Sequence, residues 1–339
     1  MLETTRYENI RSIKNKIFTF IFNLLFHARL TKMLKRPGIA IMCYHRIIPD
    51  NQKQIASTIS VTQNSLRRQI RFYKKYFKVI SLEKAVELLR NHQVDQPYLV
   101  ITFDDGYKDN YTLGLDIFLS ENVEPTVFVT TDCVDKQENL WPDDVRNALY
   151  NAQFLDPVSL TDPKITIKPD WYNRICAVER IIDFLKNYDA NSRSQYLERL
   201  RDRFKTSNCQ DSLMLNWDEV RMLSNNRTHI GSHTVSHTIL GHLPEKDALQ
   251  ELEISKNILE DQLNAPVKTF AYPNGKISDF NEVSIDLLKK TGYECAVTTI
   301  RGINSNGADL FRLHRTMVYF PDNLYEIKYR LAYEARFCD

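Results

Sequence analysis

Apolar runs of strand length recur along residues 38–320, and most of them are separated by stretches with helical spacing. Parallel β/α units need this order, because two parallel neighbours must be joined by a long crossover, usually a helix. The runs are Gly38–Tyr44, Tyr98–Phe103, Thr126–Thr130, Thr228–Gly231, Val267–Ala271, Cys295–Thr299 and Thr316–Phe320. Leu66, Ile70, Tyr73 and Phe77 recur at helical intervals, and helices are expected at Tyr107–Ser120, Trp217–Leu223, Glu245–Leu263 and Glu282–Thr291. Thr291-Gly292 is a helix stop. Seven strand candidates suit a barrel-like closure. The expected class is therefore α/β: a distorted, incomplete (β/α) barrel of about seven parallel strands.

The alternation breaks between about 132 and 216. That stretch holds helical patterns at roughly 172–186 and 193–204, with Pro142, Pro157, Pro163 and Pro169 on its approach. It is expected to be a helical insertion over one rim of the barrel domain at 38–339, not a domain of its own.

Residues 1–37 form a separate arm. Eight of them are basic and two acidic, although the whole chain carries 45 Lys and Arg against 43 Asp and Glu. The net charge of +2 gives no global pull towards nucleic acid, and 43% apolar with 26% charged residues excludes wholesale disorder and a multi-span membrane protein. Inside the arm, Ile17–Phe26 is apolar but about half the roughly 20 residues needed to cross a bilayer. Two readings fit it equally: an uncleaved interfacial helix, and a helix packed on the barrel. A secretory signal fits less well, since the polar lead is long and no small-x-small site follows. The six cysteines are scattered without a C-x-x-C pair, which suits a reducing compartment. The expectation is a protein of the cytoplasm or the cytoplasmic membrane face, touching the membrane peripherally through residues 1–37. Export is the alternative.

Four strand ends carry chemistry-bearing residues. Ile101–Tyr107 (ITFDDGY) ends in two adjacent carboxylates, Asp104 and Asp105, at the end of a strand where parallel α/β folds place their sites. Neighbours on an extended chain point to opposite sides, so the two suit different roles; a helix N-cap with a first-turn acid would use the same pair. Gly231–His237 (GSHTVSH) sets His233 and His237 four apart. With one carboxylate they make an Asp/His/His set that leaves a position open, as catalytic zinc sites do. Phe270–Gly275 (FAYPNG), with Tyr272 and Pro273, is either a source of backbone N–H donors for an oxyanion or an ordinary tight turn. Met42–Arg46 (MCYHR) offers His45 as a general acid or as a structural histidine. Trp141, at the start of the insertion, would either stack on a sugar face or anchor the insertion.

Together T-F-D-D-G and H-T-x-x-H, in that order and each at a strand end, resemble the polysaccharide deacetylase superfamily, the NodB-like family 4 carbohydrate esterases. The Y-H-R-I strand and a later V-I-S-L-E-K-A segment before T-F-D-D-G resemble its circularly permuted branch, which includes poly-N-acetylglucosamine deacetylases. The resemblance covers roughly 38–131 and 214–325. It implies Asp104 as general base, Asp105, His233 and His237 as metal ligands, His45 as general acid, and the Tyr272 backbone N–H as oxyanion donor. The Arg that braces the base in many relatives is replaced here by Ala271, and Arg315, in L-H-R-T-M-V, is expected to take its place. His314, where that motif has Pro, is the alternative acid.

The implied activity is metal-dependent removal of N-acetyl groups from a polysaccharide or glycolipid containing N-acetylhexosamine, with acid and base both needed because an amide nitrogen leaves only when protonated. The cofactor would be a divalent metal: Zn2+ by ligand type, with Co2+, Ni2+, Fe2+ or Mn2+ also suited to such N/O donors. The partner is a glycan or glycolipid, with no nucleic acid. An O-acetyl carbohydrate esterase would use the same centre, and a non-catalytic glycan-binding relative would share the fold without needing it.

Overall fold

The computed structural model describes residues 31–52, 57–188, 190–206, 212–320 and 322–335. The apolar run Ile17–Phe26 therefore lies outside the described residues. Within the arm, Leu34 is buried in the barrel's apolar core, and Thr31 accepts a hydrogen bond from Lys328. Among the described residues no helix is long and apolar enough to cross a membrane.

Seven strands form one continuous parallel path: β1 (Gly38–Tyr44), β2 (Pro97–Phe103), β3 (Thr126–Val129), β4 (His229–Ser232), β5 (Thr269–Ala271), β6 (Cys295–Val297) and β7 (Thr316–Met317). Their spatial order is β6-β5-β4-β3-β2-β1-β7, and Lys78–Val79 adds a short pairing to β2. Every pairing in this sheet is parallel. β1 is buried along its whole length and β2 from Tyr98 onward, which is why both read as continuous apolar runs and not as alternating ones.

The sheet curls far enough to meet itself. Leu313 bridges Val297 of β6 in parallel, while Thr316, three residues later, pairs with Met42 of β1. One short segment thus spans both edges of the path. The seam rests on an isolated bridge and three backbone hydrogen bonds between 296–298 and 310–313, so the barrel is closed by contact and incomplete as a ladder.

The Glu245–Leu263 helix has the expected bounds. The expected Tyr107–Ser120 helix begins later, as a π turn at Asn110–Gly114 followed by an α-helix at Leu115–Ser120. The reason is local. Tyr107 bridges Met214 and Asp109 accepts from the Ile47 N–H and the Arg46 guanidinium, so residues 104–109 are held as a loop.

The insertion contains the two expected helices, at Trp171–Leu185 and Ala190–Phe204, and two further ones at Thr131–Lys136 and Trp141–Tyr150. It also holds an antiparallel hairpin, Val158–Thr161 with Lys164–Ile167. Val145, Leu149, Val178, Ile181, Leu185 and Leu200 belong to an apolar cluster of its own, apart from the barrel's. It is tied to the barrel by the Tyr107 hydroxyl, which donates to Asp143 at 3.0 Å, and by Thr58, which donates to Glu179 at 2.6 Å.

Candidate active site

The site gathers at the C-terminal ends of β1, β2 and β4. Asp104 and Asp105 follow β2 directly, and the chain turns there by putting Asp105 (φ +76°) and Gly106 (φ +81°) in left-handed conformation. A non-glycine residue pays roughly 1–2 kcal/mol for this, and such strain concentrates at functional sites. The turn sends the two carboxylates to different partners.

Asp105 faces the histidines. Its Oδ1 lies 3.4 Å from His233 Nε2 and 3.3 Å from His237 Nε2. The ring nitrogens and carboxylate oxygen lie within 4.8 Å of one another. These separations are long for hydrogen bonds. They match donors arranged around a shared ion, since tetrahedral ligands about 2.0–2.1 Å from a zinc sit about 3.3–3.4 Å from each other. His233 Nδ1 lies 2.7 Å from the Ala271 carbonyl oxygen; an acceptor there makes Nδ1 the protonated nitrogen and leaves the Nε2 lone pair for a cation. The residues present therefore fit a borderline divalent metal. Burial works to raise the Asp105 carboxyl, but the two imidazoles set against it hold it well below the usual carboxylate range.

The backbone supports this set closely. The His233 N–H donates to Val129 O at 3.0 Å, and Thr234 (φ +68°) and His237 (φ +57°) both take left-handed conformation so that the loop folds back on Asp105. Gly231 permits the close approach below it, because a Cβ there would stand 2.4 Å from the Phe128 ring.

Asp104 faces the opposite way, into the seam. Both its oxygens accept from Arg315, each at 2.7 Å, and Arg315 is fully buried. The same guanidinium donates to the Thr298 carbonyl at 2.7 Å and to Thr102 Oγ1 at 3.2 Å. Burial alone would raise the Asp104 carboxyl; the charge and hydrogen bonds of Arg315 outweigh it and keep the group ionised, below its ordinary value. Arg315 thus stands where the sequence assigned the base-orienting residue.

His45 follows β1. Its ring shares a group with Cys43 Sγ and an Asp104 oxygen, all within 4.8 Å. Nδ1 is buried and has no hydrogen-bond partner among the described residues. Burial pushes the imidazole below its ordinary value, against the pull of Asp105 and Asp104. Cys43, absent from the sequence candidates, donates to Asp104 Oδ2 at 3.5 Å; it was legible in principle, since it stands two residues before His45 on one strand face. Burial raises its thiol well above the ordinary range, so it is an inert neighbour and not a nucleophile.

The other candidates lie apart from these groups. His314 alternates with Arg315, so its side chain points away from Asp104 and packs against Gly302, while its backbone pairs with Asn304. Asn304 in turn bridges Ile39 at the far end of β1. Tyr272 is buried, stacked 4.3 Å from Phe280, with its hydroxyl donating to Phe311 O. Its backbone N–H already donates to Val297 O at 3.2 Å, and Pro273 has no N–H. Trp141 lies under the Arg193 guanidinium, 4.7 Å from the ring centre, and packs on the insertion's own cluster.

Comparison with known proteins bears on the family and the fold. Residues 91–153 and 170–296, more than half of the chain, match the family described as polysaccharide deacetylase. The break in the match falls on the insertion's hairpin, and β1 and β7, with the adjoining His45 and Arg315, lie outside it. The Bacillus subtilis protein YxkH, which carries the same family description, is 28% identical over 101 residues, covering 30% of this chain and about a third (35%) of that protein's length. The Streptococcus pyogenes deacetylase PplD, solved with acetate, superposes with a TM-score of 0.59 at 17% identity, covering 87% of this chain and 99% of that one. IcaB from Ammonifex degensii gives 0.58 at 14%, covering 88% and 98%. A de-N-acetylase from Aggregatibacter actinomycetemcomitans gives 0.54 at 16%, covering 86% and 99%. At these identities the superpositions speak for the fold alone. The extent of the sequence match, joined to strand-end motifs folded as they are here, makes this chain a member of the polysaccharide deacetylase family.

Proposed function

We propose that the protein is a metal-dependent hydrolase that removes N-acetyl groups from a polysaccharide or glycolipid containing N-acetylhexosamine. The observation that carries this is one juxtaposition: a three-donor set of Asp105, His233 and His237 beside an ionised carboxylate, Asp104, that Arg315 fixes and that lies within reach of His45. A cation held by the three donors would acidify a water and polarise the acetyl carbonyl; the donor types favour zinc, with cobalt, nickel, iron or manganese as substitutes.

The protein's own groups do the rest. Asp104 accepts the water proton, using lone pairs that Arg315 leaves free, since each carboxylate oxygen has two. Arg315 holds it ionised and aimed. His45 hands a proton to the departing amine nitrogen. Burial keeps its imidazole towards the neutral form, so that proton is one gained during turnover, and Asp104 lies close enough to supply it. The products are acetate and a free amine. His314 faces away from Asp104, which favours His45 as the acid. Donation to the oxyanion by the Tyr272 N–H would have to be shared with Val297.

Acetate release across N-acetylated glycans and lipid-linked intermediates, with a chelator control, tests the reading. Release that ignores chelation, or no release from any of them, counts against it. An O-acetyl esterase is separated by His45→Ala, because an ester leaves without obligatory protonation: ester cleavage surviving in that variant, with no amide cleavage in the wild type, would replace this reading. Residues 1–37 are proposed to bring the barrel to the cytoplasmic membrane face, where anionic headgroups attract basic residues by about 1 kcal/mol each. A protein wholly soluble at low salt in cell fractionation would contradict that.

A further inference from the structure

The loop carrying His233 and His237 is gripped from two sides, and one grip comes from a residue that no motif includes. On one side the segment after β3 holds its carbonyls: the Thr131 N–H donates to Thr234 O at 3.3 Å and the Asp132 N–H to Val235 O at 3.0 Å. On the other, Glu251 holds its N–H groups. Glu251 Oε2 accepts from the backbone N–H of Val235 at 2.8 Å and of Ser236 at 3.0 Å, while Oε1 accepts from the Ser236 hydroxyl at 2.7 Å.

Glu251 lies in the Glu245–Leu263 helix, and that helix is pinned beside His233 by a buried contact of 2.8 Å between Ser255 Oγ and Ser232 Oγ. Successive N–H groups beside a left-handed residue converge on a concavity that suits an anion. A loop with Thr234 and His237 in left-handed conformation has several other ways to lie. Both ligands hang on the one it takes.

We propose that Glu251 is a positioning residue for the metal centre: by bonding the two N–H groups and the hydroxyl between His233 and His237, it sets the aim of both imidazoles at Asp105. The inference rests on the metal reading of that centre. Outer partners that orient metal ligands typically carry 10–100-fold in affinity.

The test is Zn2+ affinity of the full chain, measured by competition with a chromophoric chelator, with His233→Ala as reference. Glu251→Ala should bind zinc about 10–100-fold more weakly, and so should Glu251→Asp, whose carboxylate is one methylene too short to reach the loop. Glu251→Gln should stay within a few-fold of wild type, because its single carbonyl oxygen can take both N–H bonds and its amide can donate to the Ser236 hydroxyl. Melting of the chelated proteins should not follow this order, as a merely structural role would require. Wild-type affinity in Glu251→Ala and Glu251→Asp overturns the inference alone. A Glu251→Gln as weak as Glu251→Ala also overturns it, since charge and not aim would then matter. If Glu251→Ala does not fold, the Asp and Gln variants carry the comparison, and Asp binding no more weakly than Gln overturns it. A wild type holding no zinc that His233→Ala removes would bring down the metal reading, and this inference with it.

Discussion

The two halves of the site are finished to different degrees. The Asp104 half is complete in the protein alone: a fully buried guanidinium meets both carboxylate oxygens at 2.7 Å and spends further donors on Thr298 and Thr102. The Asp105 half is held only at its edges. Asp105 Oδ1 stands 3.4 Å from His233 Nε2 and 3.3 Å from His237 Nε2; Ala271 and Val129 hold His233 from outside, Glu251 holds the loop between the two histidines, and the inward atoms of all three residues gather within 4.8 Å. Proximity alone would call both groups metal sites, since Cys43, His45 and Asp104 are as close as the other three. Charge separates them. Arg315 already neutralises Asp104, so a cation there would meet a guanidinium, whereas Asp105 has only imidazoles for company.

That contrast predicts different kinds of failure. The largest effect is expected at Asp104. Asp104→Asn should lose about 10²–10⁴-fold in rate, the range of a general base, while metal content stays at the wild-type level; full activity in that variant removes Asp104 from the chemistry. Next, Arg315→Met should cost roughly 3–5 kcal/mol in urea unfolding of the chelated protein, because a buried carboxylate is left alone. Replacing both partners, Arg315→Met with Asp104→Leu, should recover most of it. His237→Ala should instead strip the metal with a smaller loss of stability. If Arg315→Met and His237→Ala cost the same, the halves do not differ as described.

Two smaller effects extend the comparison away from the centre. Trp141→Ala should destabilise by about 1–3 kcal/mol, less than a fully buried aromatic, with KM unchanged, because its ring is covered by Arg193 and the insertion's core. A raised KM at unchanged stability would make it a glycan contact. The smallest is expected at His229, at the opposite end of β4 from His233. Its Nδ1 lies 3.1 Å from Glu83, and that hydrogen bond, opposed by burial, raises its pKa above the ordinary value. A raised folded pKa means the stabilisation is present below about pH 6.5 and fades as pH climbs through the folded value. The pair is partly exposed, so less than about 1 kcal/mol is at stake. The melting difference between wild type and His229→Gln should shrink from pH 5.5 to 8; a constant difference would show the pair contributes no charge term.

Much of the barrel was legible because its strands are buried on both faces and therefore read as unbroken apolar runs. Gly38–Tyr44 came out residue for residue, as did the Glu245–Leu263 helix. The insertion was less legible: its hairpin alternates exposed with half-buried positions on one strand and exposed with buried positions on the other, over four residues each, too short for a period to show. The π turn at Asn110–Gly114 was not legible at all, being imposed by what Asp109 and Tyr107 bond to and not by propensity.

The candidate site divides the same way. Local spacing was enough to single out Asp104, Asp105, His233 and His237 as candidates, because each pair sits within one strand end and its loop. Sequence alone named Arg315 as the residue to brace Asp104 and left His314 as an alternative acid; the alternation of the seam segment turns Arg315 to Asp104 and His314 to Gly302. Glu251 reached the site only through folding, from a helix packed against β4, whereas Cys43 was already marked by its spacing from His45 and meets Asp104 across the β1–β2 pair. Ligand types are local chemistry and survive in a linear string. Which groups stand opposite them, and so whether a carboxylate is answered by a guanidinium or left facing two imidazoles, is fixed only when distant strand ends are brought to one rim.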